Sequence, residues 1–227
     1  MKILEVDDEV EVLPGGHRGR VRSLQAYGHS VERVEAGHSV AVNVSGIAHE
    51  FFTRGAWVAA PGKFSPVTTL EGKLTLIQGA KPPKDHGEVT LYIGSQSLLA
   101  TCVKLSDSLV QFRSTQPMLA IAGDHFLVRD SSNQHTLGGG AVVSALSKKM
   151  TKSRTQDVAA LELMAMQEGG IPGTLLALLG HPGSGAFRTL FELESALQRP
   201  RGEFEGDLVK LVEEGDGLVV QRLSERL

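Results

Sequence analysis

Residues Leu13–Gly46 read LPGGHRGRVRSLQAYGHSVERVEAGHSVAVNVSG, and the end of this stretch decides the fold. In Ser39–Gly46, "SVAVNVSG", Val40, Val42 and Val44 point one way and Ala41, Asn43 and Ser45 the other. That period of two marks a half-buried strand. Upstream, Arg18, Arg20 and Arg22 alternate within a second strand, so their side chains leave the same side of it. His17 stands at one end of that basic run, His29 and Arg33 at the other.

The same short-period pattern continues outward to about Leu146. "KLTLI", "EVTLYIG", "LLATCVKL", "LVQFRS" and "HFLVRD" follow, broken by the turn-forming stretches "AKPPKDHG", "SDS" and "DSSNQH". Strands at this spacing without intervening helical stretches imply antiparallel barrels or sandwiches. The Pro-Gly turn "APGKFSP" (Ala60–Pro66) divides them. A first domain over 1–62 offers three or four strands, marginal for an independent barrel. A second, over 63–147, has about the six needed to close one.

From 148 to 227 the pattern changes. "SKKMTKSR" carries four basic residues and reads as a linker. "TQDVAALELMAM" then places Val158, Leu161 and Ala165 at helical spacings. Further short helical stretches and a hairpin-like end suggest a winged-helix module. The expected fold class is therefore mainly β with an α-rich C-terminal part. Its candidate recognition helix, "EFEGDLVKLVEEG", carries Glu203, Glu205, Asp207, Glu213 and Glu214 against Lys210 alone. Such a helix would repel DNA phosphates rather than bind them.

Composition bounds the function. The chain is 41% hydrophobic and 22% charged with a net charge of -3, which argues against a wholly basic nucleic-acid coat. The single cysteine, Cys102, lies in an apolar run and reads as a core residue in a reducing compartment. No apolar run approaches the roughly 18 residues of a membrane span. The N-terminus lacks the apolar core of a signal peptide, so the expected location is the cytoplasm.

Catalytic motifs find no match. "GHPGSGAF" (Gly180–Phe187) has Ala186 and Phe187 where a phosphate-binding loop needs lysine and a hydroxyl. The glycines of "LGGGAVV" read as permitting a tight bend. No nucleophile elbow occurs, and the eight histidines show no metal-ligand spacing. The basic face supports two readings. Glu9 and Glu11 precede it by a two-glycine turn and could pair with its arginines, or the arginines could contact phosphates. Partial pairing would allow both.

Taken together, the stretches resemble a family. Val6–Ile47, with "VRSLQ" and "AGHSVAVN", resembles the second domain of bacterial selenocysteine-specific translation elongation factors, a barrel of the elongation factor Tu type. Asp85–Leu105 and Pro117–Val143 are similar to the third domain, notably "GDHFLVRD" (Gly123–Asp130) and "TLGGG" (Thr136–Gly140). The 148–227 region resembles, more loosely, the winged helices that follow. The resemblance implies delivery of selenocysteyl-tRNA to the ribosome, with the barrels holding the tRNA. It implies that Arg18, Arg20, Arg22, His29 and Arg33 contact tRNA phosphates, with Arg54 and Arg129 as weaker candidates. His38 and Ser39 fall at the aminoacyl-pocket position, Ser39 where the family has arginine. A hydroxyl there forgoes the charge-assisted contact that a guanidinium gives a selenolate.

The family's GTPase domain has no counterpart in the sequence. GTP and magnesium are therefore expected to belong to a separate domain, and this chain to be non-catalytic without a cofactor of its own. A partner GTPase domain, no DNA, no membrane and an exchange of strands between two copies complete the expectations. The competing expectation is a protein-interaction module that docks a GTPase or ribosomal protein without touching RNA.

Overall fold

The computed structural model describes residues 3–145. The 148–227 region, with its expected winged helix, lies outside them. Two units divide at Ser65/Pro66.

The first unit is built around one long strand. β1 (Ile3–Glu5), β2 (Glu9–Leu13), β3 (His17–Ala26), β4 (His29–Val31), β5 (Arg33–Glu35), β6 (Val40–Ser45) and β7 (Trp57–Ala59) form two sheets. β3 pairs with β2 through its first half and with β4 through its second, while β6 runs along its other edge. β7 pairs with β2, and β1 with β5. A 3-10 turn over His49–Phe51 precedes β7.

Alternation places Val40, Val42 and Val44 against a small core of Val10, Val21 and Leu24. Val21 and Leu24 are three residues apart, a spacing that a regular strand would send to opposite faces. A bulge resolves the conflict. Val21 pairs with Val44 and Ser23 with Asn43, so Arg22 is the extra residue. Both Arg22 and Ser23 consequently face solvent. The sheet does not close on itself: β4, β6 and β7 are edges among the described residues.

The second unit is a closed barrel. β8 (Val67–Leu76), β9 (Gly87–Ile93), β10 (Gln96–Lys104), β11 (Leu109–Met118), β12 (His125–Asp130) and β13 (Thr136–Ser144) close in the order β10-β11-β8-β13-β12-β9. Every neighbouring pair is antiparallel. Inward positions align in rows: Cys102, Phe112 and Leu70 are register neighbours, and all three are fully buried. Phe112 meets Phe126 edge to face at 5.2 Å between ring centroids. The adjacent row faces the other way, and on β11 and β8 it is polar. There the Gln111 amide donates to Glu71 Oε1 at 2.6 Å, and Arg113 Nε donates to Gln111 Oε1 at 2.7 Å.

The glycines of "TLGGG" sit within the strand ladder. Gly138, Gly139 and Gly140 lie inside β13, in register with Leu76, Thr75 and Leu74 of β8 and Val128, Leu127 and Phe126 of β12. Their role is close approach. A Cβ on Gly140 would run into the Lys73 carbonyl oxygen, and one on Gly138 into that of Thr75.

Cys102 is a core residue, with no exposed surface. Burial pushes its thiol up to about 11, eased by the Lys104 charge and reinforced by that of Asp85. At pH 8 only about one thiol in a thousand would be ionised. Ellman's reagent is therefore expected to leave the native chain unmodified over hours and to titrate one thiol in guanidinium chloride. Rapid labelling of the native chain would contradict this packing.

The β12–β13 connection is fixed by one carboxylate. Asp130 Oδ1 accepts from the backbone N–H groups of Gln134 at 2.8 Å and His135 at 3.2 Å, while Oδ2 lies 3.0 Å from His135 Nδ1. Partial desolvation pushes this carboxyl up. The hydrogen bonds from His135, from Gln134 and from the Ser132 hydroxyl outweigh that and hold it at about 2. A depressed folded-state pKa stabilises the fold above the unfolded value near 4. That stability is lost as pH falls toward 2. D130N is expected to lower the melting temperature at pH 7 but not at pH 2, as a pH series of thermal melts would read. An equal penalty at both values would show that the carboxylate charge is irrelevant.

Candidate nucleic-acid interface

The β2–β3 hairpin sets acid against base. Its register places Glu9 opposite Arg20 and Glu11 opposite Arg18. Arg20 Nη2 lies 3.3 Å from Glu9 Oε1, and Arg20 Nη1 donates to the Asp7 carbonyl at 3.2 Å. Arg18 Nε is 3.9 Å from Glu11 Oε1. Glu11 itself is anchored, since its Oε2 accepts the Gly62 N–H at 2.8 Å. The pairing is nevertheless loose at the arginine end: the Arg18 and Arg20 side chains keep 71% and 56% of their surface exposed. Exposed pairs of this kind contribute about 0–1 kcal/mol, little enough for a phosphate to displace.

Arg22 differs from its two neighbours. The bulge removes it from the ladder, and no carboxylate stands within ion-pair distance of it among the described residues. Three guanidinium groups thus leave one exposed strand face with two acidic neighbours between them.

The remaining candidates are spread around the same unit. β3 and β4 are joined by the two-residue turn Tyr27-Gly28, both with positive φ (52° and 81°), which places His29 at the start of the returning strand. Such a turn matches the twist of the strands it joins. Arg33 stands directly opposite Glu5 in the β1–β5 ladder. His38 and Ser39 are exposed just before β6. Arg54 lies in the loop before β7 and makes contacts of its own. Arg129 belongs to the other unit, in β12, and donates from Nη2 to the Gln134 carbonyl at 3.0 Å.

Two aromatic contacts are not foreseeable from the sequence. The Tyr27 hydroxyl sits 3.1 Å from His38 Nδ1, although the Tyr27 ring is 76% exposed. His17 stacks on Phe51 with ring centroids 3.6 Å apart. Tyr27 has a legible signal, a tyrosine beside glycine in a hairpin turn; its partner eleven residues away has none.

These features place an exposed basic strand with aromatic neighbours on an open β-sheet, next in the chain to a closed six-stranded barrel. Among the described residues no three His, Cys, Asp or Glu side chains gather into a metal-binding group. No described helix is long and apolar enough to cross a membrane.

Residues 72–149 match the family model of the selenocysteine-specific elongation factor β-barrel domain. Residues 72–149 are similar to the β-barrel domain of that family. The chain is 29% identical over 208 residues to the selenocysteine-specific elongation factor of Desulfomicrobium baculatum. That match covers 86% of this chain and 32% of the relative. It is 30% identical over 128 residues to the factor of Escherichia coli (strain K12), covering 55% of this chain and 20% of that one. The chain therefore spans a third or less of these relatives' lengths.

Solved structures agree on the fold. A bacterial selenocysteine-specific elongation factor superposes with a TM-score of 0.63 at 21% identity, covering 77% of this chain and 28% of that one. The translation elongation factor SelB of Methanococcus maripaludis gives 0.57 at 20% identity, covering 69% and 39%.

Proposed function

We propose that this chain serves selenocysteine-specific translation elongation as a non-catalytic part. In this reading it contacts selenocysteyl-tRNA and links a GTPase domain to an mRNA-binding region, working in the cytoplasm at the ribosome. The family relationship supplies the setting. The observation that carries the RNA contact is Arg22, left without a partner in the ladder with β6 and exposed on the face that holds Arg18 and Arg20. Tyr27 adds an open aromatic ring of the sort that stacks on unpaired bases.

GTP and magnesium would act on a GTPase domain, and this chain would couple to it.

A second reading draws on the ion pairs. Glu9 and Glu11 already answer Arg20 and Arg18, which suits a protein-docking module that meets a GTPase or ribosomal protein without RNA. Titration of the chain with aminoacylated tRNA separates the two. Weak binding whose affinity falls steeply with salt supports phosphate contact. Salt-independent, selenocysteine-selective binding would overturn it, because Ser39 offers no fixed charge to a selenolate. Absence of RNA retention alongside intact partner binding would favour the docking module.

A further inference from the structure

We infer that one mouth of the six-stranded barrel binds a small anion with an apolar body, the size of a single-ring aromatic carboxylate. This goes beyond the proposed function and does not depend on RNA contact.

A cavity of about 140 Å³ lies where β8 and β10 end and β11 begins. The packing of the barrel explains why space is left there. Deeper inside, Leu70, Cys102 and Phe112 fill one row across the three strands. In the next row outward, Lys104, Val110 and Gly72 are register neighbours, and Gly72 contributes no side chain. The Phe126 ring occupies the place of a Cβ on Gly72, so only glycine fits beside it. Cys102 thus becomes the floor of the cavity and Leu74 and Val110 its apolar walls. Pro82 and Pro83, from the β8–β9 connection, close one side.

The frame is tied down on two sides. The Leu74 N–H donates to the Ser108 carbonyl at 2.8 Å, which fixes the β10–β11 turn to β8. The Lys104 N–H donates to Asp85 Oδ1 at 2.9 Å, which fixes the β8–β9 connection to β10. Preformed, mainly apolar cavities with a few convergent polar groups are the usual form of small-molecule sites, barrel mouths included. An apolar cavity of about 150 Å³ holds benzene, so the space here suits one six-membered ring.

Lys104 sets the charge of the ligand. It continues the inward row of Leu98, Ala100 and Cys102, is half-buried and lines the cavity. Among the described residues no carboxylate stands within ion-pair distance of its ammonium group. Asp85 directs Oδ1 to the Lys104 backbone, and Asp107 on the rim is exposed. A half-buried cation beside an apolar cavity is stabilised by an anion that enters it. The Ser106 and Ser108 hydroxyls on the lining can donate to the same anion.

The test follows the methyl NMR signals of Leu74, Leu76 and Val110 in the full 227-residue chain, with benzoate and benzene as probes. Benzoate is expected to shift these signals saturably, with a Kd on the order of 1 mM. K104Q removes the charge and is expected to weaken benzoate about tenfold while benzene binds as to the parent. L76W sets a larger ring at the entrance, where Leu76 is 36% exposed, and is expected to abolish both. Thermal melts establish that each variant folds, and K104Q decides the matter if L76W does not. Signals that stay still at about 50 mM benzoate would overturn the inference. So would equal benzoate affinity in K104Q and the parent, or binding that persists in folded L76W.

Discussion

Replacing Gly140 by valine is expected to unfold the six-stranded barrel, and even G140A should cost about 3 kcal/mol or more. The position sits in β13 between β8 and β12, opposite Leu74 and Phe126. A Cβ there would collide with the Lys73 carbonyl oxygen and crowd Phe126 Cζ at 3.2 Å. Backbone cannot yield as a flexible side chain can, because Lys73 is held in the β8 ladder on both sides. For a unit of this size such a loss lowers the melting temperature by more than about 12 °C. Thermal melts of the full chain followed by far-ultraviolet circular dichroism would read it. A G140A variant melting within a few degrees of the parent would show that β13 has room to shift.

The second large effect concerns the basic face. Changing Arg18, Arg20 and Arg22 together to glutamine is expected to weaken tRNA binding on the order of 100-fold at 0.1 M salt. It should also flatten the dependence of log K on log salt by about 2–3 units, one for each phosphate left unneutralised. The single variants should not be equal. Arg22 faces solvent with no carboxylate opposite, whereas Arg18 and Arg20 must leave Glu11 and Glu9 to meet a phosphate. R22Q is therefore expected to cost the most, and E9Q to strengthen binding by freeing Arg20. The thermal stability of each variant should barely change, since exposed pairs contribute so little. If the triple variant binds tRNA like the parent, the strand is a solvated face and the docking module becomes the better reading.

Much of this architecture is legible in the residues themselves. The alternation of Val40, Val42 and Val44 places β6 correctly, and the run of short strands after Lys63 foretells the closed barrel. The acidic strand before the arginines also signals its own ion pairs, since a two-glycine turn sets Glu9 and Glu11 opposite them. Cys102 reads correctly as core from its apolar surroundings alone.

Other features are not legible, and each for a nameable cause. The bulge at Arg22 exists because Val21 and Leu24 must both reach one small core, a demand that comes from β6 and β2 and not from local sequence. The Tyr27–His38 contact joins a turn to the far end of a neighbouring loop. Tight spacing between strands gives the triple glycine its purpose, whereas the residues themselves suggest a bend.

What the sequence determined by itself was periodicity: where the longer strands run, which face of each is apolar, and where charges alternate. These follow from the two-residue repeat of an extended chain and need no knowledge of neighbours. Only the tertiary structure decided how closely strands approach and which edges find partners. Those outcomes depend on contacts between residues far apart in the chain, so the close approach of backbone at Gly140 has a cause that no local pattern contains.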